Sequence, residues 1–126
     1  MTPGVLALVA VSGGLGAVAR YLLDLAIRSR IGTAFPAGTA LINLSGSLLL
    51  GLLVGLADAG AVPTALRLVA GTGFLGGYTT FSAASVETVA LVAARRRVAA
   101  VANGVGVPIA CVLLAAAGLA LGSLAG

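Results

Sequence analysis

Histidine, tryptophan and lysine are absent from this 126-residue chain, which has one cysteine, three carboxylates and only 8% charged residues. Each shortage excludes something. Without histidine, and with so few acids, hydrolytic and metal chemistry lack their usual parts. Cys111 sits in an apolar run, has no partner for an internal disulfide and carries no information about redox compartment. A cysteine nucleophile would need an activating base that the chain does not supply. A non-enzyme is expected.

What is present is apolar. Hydrophobic residues make up 60% of the chain, and the mean hydropathy is +1.21. A soluble domain of this size cannot hide that much apolar surface. About 20 apolar residues span a bilayer, so the length allows four crossings with short loops. The first apolar run follows no basic segment and carries no cleavage site, so no removable signal peptide is expected. The expected fold is an all-α membrane protein, one transmembrane domain over residues 1–126. Its helices are placed at about 5–27, 37–57, 66–93 and 98–124.

Punctuation supports these bounds. Phe35-Pro36 closes the first loop, since the residue before proline avoids helix and proline suits a helix start. Gly13, Gly14, Gly16 and Ala17 form a small-residue patch for close backbone approach. Arg20, Asp24 and Arg28 are spaced to pair along one face. Pro108 is expected to kink the last helix. The third segment is the unusual one. Residues 71–82 hold four glycines, three threonines and a serine, a poor helix former at about 1 kcal/mol per glycine. An interruption inside hydrocarbon is tolerated only where protein or a water path surrounds it, so it points to an ion or solute site.

All seven basic residues are arginines. A pI near 10.7 could suggest nucleic acid, but the arginines stand at helix ends, which topology explains. In a four-helix chain the loops after helices 1 and 3 share a side. Those loops carry Arg28, Arg30, Arg95, Arg96 and Arg97, and the other side has Arg67. The positive-inside rule then puts both termini outside a plasma (inner) membrane, with no nucleic-acid partner.

Thr39, Asn43, Ser47, Gly51 and Gly55 recur every four residues and form a slowly winding polar and small stripe. Close helix packing accounts for the later members. Asn43 needs more, because an unpaired amide in hydrocarbon costs several kcal/mol, on the order of 2–7. It requires a partner or a permeant species. Neutral donors suit a small anion that must be dehydrated without being trapped. Carbonyls freed near Gly76 and Thr79 could hold a cation. Phe81 either packs or turns its partly positive ring edge toward an anion. Glu87, two turns from Thr80 in the same segment, reads as a helix-end carboxylate reaching for Arg95 or the interface. Arg20 either snorkels to headgroups or keeps an anion vestibule positive.

The motifs together resemble one family. Gly13-Gly14-Leu15-Gly16-Ala17-Val18-Ala19-Arg20-Tyr21 resembles the first-helix motif of the Fluc/CrcB fluoride ion channels. Phe35-Pro36-Ala37-Gly38-Thr39, with Asn43, Gly46 and Gly51, resembles the second. Gly73-Phe74-Leu75-Gly76-Gly77-Tyr78-Thr79-Thr80-Phe81-Ser82 resembles the third. The resemblance covers most of residues 10–90. It implies an antiparallel dimer of four-helix subunits, each with its third helix broken mid-membrane, and two pores that pass fluoride out of the cell. It implies a structural Na⁺ at the dimer interface, held by the carbonyls of Gly76 and Thr79. Thr39, Asn43, Ser47, Phe81, Ser82, Glu87 and Arg20 fall at pore or vestibule positions. Two positions depart from the pattern. Ala84 stands where a second phenylalanine is usual. The fourth-helix register places Ala102, Gly106 and Ala110 where polar side chains are usual, with Asn103 one residue away.

The arginine bias adds an expectation. An antiparallel homodimer needs dual insertion, so a biased chain is expected to pair with a related subunit of opposite bias. Two rival readings stand beside the channel. One is a non-conducting partner subunit of a heterodimeric channel. The other is a small multidrug transporter, which calls for a first-helix glutamate that this chain lacks and for more aromatics than its 4%.

Overall fold

The computed structural model describes all 126 residues, and its regular elements are all helices. Helix α1 spans Pro3–Arg30. Thr2 caps it, its hydroxyl accepting from the Val5 N–H at 3.3 Å, with Pro3 at the first helical position. Helix α2 spans Ala37–Asp58, starting directly after Pro36. Residues 64–78 form α3, whose middle, Arg67–Leu75, has wide i→i+5 turns. Helix α4 is Ser82–Ala93. Residues 97–123 form α5, with a second wide-turn stretch at Ala102–Gly106. Three helices, α1, α2 and α5, are each long and apolar enough to cross a membrane.

Two parallel helix pairs make the body, and glycine makes both. A Cβ built on Gly16 would collide with the Phe74 carbonyl, and one on Gly77 with the Gly13 carbonyl, so α1 and α3 touch backbone to backbone. On the other side Gly51 lies against Ala115, Gly118 against Leu48, and Gly122 against Leu52, which binds α2 to α5. The first-helix glycine patch therefore meets α3, through Gly13 and Gly16. Gly14 points away, with nothing within 4 Å.

The glycine-rich stretch of the third segment does not unwind. Helix continues through Tyr78, and only Thr79–Phe81 leave it. The reason lies in packing. Gly73 and Gly77 fit against Val9, Ser12, Gly13 and Ala17 of α1, and the Ser12 hydroxyl donates to the Val69 carbonyl at 2.7 Å within the wide turns.

Loops end the helices differently. After α2, Gly60 adopts φ 77°, and the Ala61 N–H returns to the Leu56 carbonyl at 2.8 Å, a glycine-closed helix end. The same closure follows α4, where the Arg96 N–H meets the Leu91 carbonyl at 2.9 Å. There the left-handed position, φ 59°, is Arg95. An arginine at that conformation costs roughly 1–2 kcal/mol relative to glycine, so the charge is kept at a local conformational cost. Arg28 and Arg96 border one pocket, so the five arginines gather at one end. The termini share the other end with Asp58 and Arg67, which pair at 3.4 Å.

Only 17 residues are buried, and most large apolar side chains face outward along the helices. Water would not support so continuous an apolar exterior.

Candidate functional site

The three residues outside helix at 79–81 would leave backbone polar groups unpaired. Asn43 answers this directly. Its Oδ1 accepts from the Thr80 N–H at 2.8 Å, and its Nδ2 donates to the Thr80 carbonyl at 2.7 Å. One amide thus replaces both helix bonds at the centre of the interruption. The partner that the sequence demands for Asn43 is this backbone. Thr79 closes α3, its N–H and hydroxyl both reaching the Leu75 carbonyl, at 3.0 and 2.9 Å. The Thr80 hydroxyl accepts from the Ala83 N–H at 3.3 Å and opens α4. Tyr78 is fixed by Phe74, stacked at 6.1 Å, and by the Ser45 hydroxyl at 3.0 Å.

Beside this junction α2, α4 and α5 enclose a groove of about 560 Å³. Asn43, Ser47, Thr80, Ser85, Thr88 and Asn103 supply its polar groups, and no charged residue lines it. Phe81 borders it and is otherwise 84% exposed, turned out from the single chain.

The other expected site residues are dispersed. Thr39, one turn before Asn43 on α2, is buried and donates to Glu87 Oε1 at 2.8 Å. Glu87 also accepts from Arg28 at 3.2 Å, so its cation is Arg28 of α1 and not Arg95, which lies in the turn beyond α4. Arg28 simultaneously holds Asp24 at 3.0 Å. Arg20 is half-buried, forms no ion pair and lies outside the groove. The expected Arg20–Asp24–Arg28 ladder is therefore a single pair, because Arg28 claims Asp24 and leans toward α4. Ser82 is exposed, 3.3 Å from the Thr80 hydroxyl. Gly76 is exposed on α3, and no backbone N–H reaches its carbonyl or that of Thr79.

The fourth-helix face toward the groove is Asn103, Val107 and Cys111, one residue on from the expected Ala102, Gly106 and Ala110. Asn103 is buried and donates to Thr88 at 2.9 Å and to the Ala84 carbonyl at 3.3 Å. Its signal in the sequence is that of Asn43, a lone amide in an apolar segment, which must find partners.

Residues 7–119 match the family described as "CrcB-like protein, Camphor Resistance (CrcB)". The chain belongs to the CrcB family. "Fluoride-specific ion channel FluC 1" of Leifsonia xyli subsp. xyli is 50% identical over 99% of this chain and 91% of that protein. "Fluoride-specific ion channel FluC 2" of Cutibacterium acnes is 52% identical over 91% of this chain and 94% of its own. "Fluoride-specific ion channel FluC" of Magnetococcus marinus is 42% identical over 94% of this chain and 98% of its own. Membership in the CrcB family and three long apolar helices make this chain a multi-pass membrane protein.

Proposed function

We propose that the chain is a subunit of a fluoride-specific ion channel, a conductor and not an enzyme, through which cytoplasmic fluoride leaves passively. The observation that carries this is its likeness, along nearly the whole chain, to proteins named as fluoride-specific channels. The groove is chemically suited to the task. Fluoride is small and strongly hydrated, so a path must offer dense donors in place of water. The Ser47 hydroxyl lines the groove with no partner in the chain, the Ser85, Thr88 and Asn103 donors are held by the Phe81 and Ala84 carbonyls and by Thr88, and no fixed charge is present to trap the ion. Weak acid entering as HF ionises inside, so a leak suffices and no pump is needed.

In this reading α3 and α4 together form a fourth, interrupted crossing, with Asn43 satisfying the interruption inside the membrane. The pores are completed by a second, antiparallel subunit, which covers the outward ring of Phe81. A structural Na⁺ belongs at the dimer centre. The carbonyls of Gly76 and Thr79 fit it: they are hard neutral oxygens, free of backbone hydrogen bonds, and Gly76 is open toward a partner. Bound there, the cation would supply fixed positive charge. Thr39, Ser82, Glu87 and Arg20 extend the path toward the cytoplasmic mouth. Five arginines at one end, against an Arg67 already paired with Asp58, favour one orientation in the plasma membrane, termini outside, and hence a heterodimer with a related subunit of opposite bias.

Ala84 supports a second reading, in which this chain is the non-conducting partner, because the groove lacks a ring at that position. Liposome efflux separates the two. Fluoride efflux without chloride efflux is expected from the reconstituted channel. Silence alone, with fluoride efflux restored by a second subunit and left unchanged by Asn43→Asp in this chain, favours the partner reading. Chloride passing as fast as fluoride would end both.

A further inference from the structure

Two carboxylates meet one guanidinium at the arginine-rich end. Arg28 Nε holds Asp24 Oδ2 at 3.0 Å, and Arg28 Nη2 holds Glu87 Oε1 at 3.2 Å. Thr39 donates to that same Glu87 oxygen. The far oxygens, Asp24 Oδ1 and Glu87 Oε2, are buried without a hydrogen-bond partner. Gly38 makes room for the arrangement, since a Cβ there would collide with Asp24 Oδ1. The cluster ties α1, α2 and α4 together. The other charged group bordering the adjacent pocket is Arg96.

Its place along the chain matters. Thr39 stands one turn before Asn43 on α2, and Glu87 stands two turns after Thr80 on α4. The Thr39–Glu87 pair therefore continues the line set by Asn43 and Thr80 toward the arginine-rich mouth. A bare carboxylate on that line would repel any anion following it.

We propose that Arg28 is the positioning residue that makes Glu87 compatible with anion passage. It draws the carboxylate toward α1 and offsets part of its charge, the one guanidinium being shared between Glu87 and Asp24. This rests on the fluoride reading above. The groups needed for it are this chain's own, on three different helices, and Asp24 serves to anchor the guanidinium.

The test is fluoride efflux from liposomes holding the complete channel, with Arg28→Gln, Arg28→Lys and the double variant Arg28→Gln/Glu87→Gln. Arg28→Gln should slow efflux by about tenfold, the scale of an uncompensated partly buried charge. Arg28→Lys should keep most of the flux. The double variant should recover part of what the single change loses, because it removes the Glu87 charge and leaves only Asp24 without its cation. Wild-type flux from Arg28→Gln, or a double variant as slow as the single one, overturns the assignment. If Arg28→Gln alone fails to fold, the double variant still decides: folded and conducting supports charge compensation, folded and slow refutes it. A wild-type channel that passes no fluoride sinks the parent reading instead.

Discussion

Asn43 shows why a single side chain can be both structural and functional. Its amide is the only group bonded to the backbone of Thr80 in both directions, and it borders the groove. Asn43→Ala should strand a donor and an acceptor, each costing about 1–3 kcal/mol. A lowered thermal midpoint in detergent would report this. Asn43→Asp retains the acceptor for the Thr80 N–H but loses the donor and adds a charge beside the path. It should give folded protein with little fluoride flux. Normal conduction by Asn43→Asp would take Asn43 off the anion route.

At the level of elements, helices pair through glycine because lipid offers no hydrophobic drive between them, leaving close van der Waals contact to do the joining. Such contacts cannot relax, since the neighbour is backbone. Gly51→Ala and Gly118→Ala should each destabilise the α2–α5 pair by about 1–3 kcal/mol or more. Gly14→Ala, with open space around it in the single chain, should leave the subunit's fold intact. Thermal unfolding followed by size-exclusion chromatography distinguishes them, and equal tolerance at all three positions would contradict the packing described here. The wide turns in α3 and α5 belong to this scale too. They let Ser12 reach the Val69 carbonyl and bring Asn103 to Thr88.

For the whole molecule, charge placement and partner choice are linked. Replacing Arg95, Arg96 and Arg97 with glutamine leaves Arg28 and Arg30 at that end, with Arg28 already engaged by two acids. Orientation should then become mixed. A cysteine placed at Gly126 in a Cys111→Ser background would be labelled from outside only in the parent chain and from both sides in the variant. Sodium gives a second check. A cation that binds only the assembled dimer stabilises it by mass action, so replacing Na⁺ with a large organic cation should lower the dimer's thermal midpoint. No change would remove the sodium from the proposal.

The sequence by itself determined the helical, membrane-embedded class and the family. Composition leaves no other way to hide the apolar surface, and three glycine-rich motifs in order are hard to mistake. It also marked Asn43 as a residue that must be partnered, because hydrocarbon cannot solvate an amide. Only the tertiary structure decided who the partners are. Helical spacing lets Arg28 pair with Asp24, but the approach of α4 alone brings Glu87 to the same guanidinium. The face of α5 toward the groove runs through Asn103, Val107 and Cys111 with Asn103 buried, a face that helical spacing alone does not choose. The glycines of the third segment look like helix breakers because propensity is local. Packed against α1 they stay helical, and the chain leaves the helix at Thr79–Phe81, where Asn43 on another helix supplies the bonds.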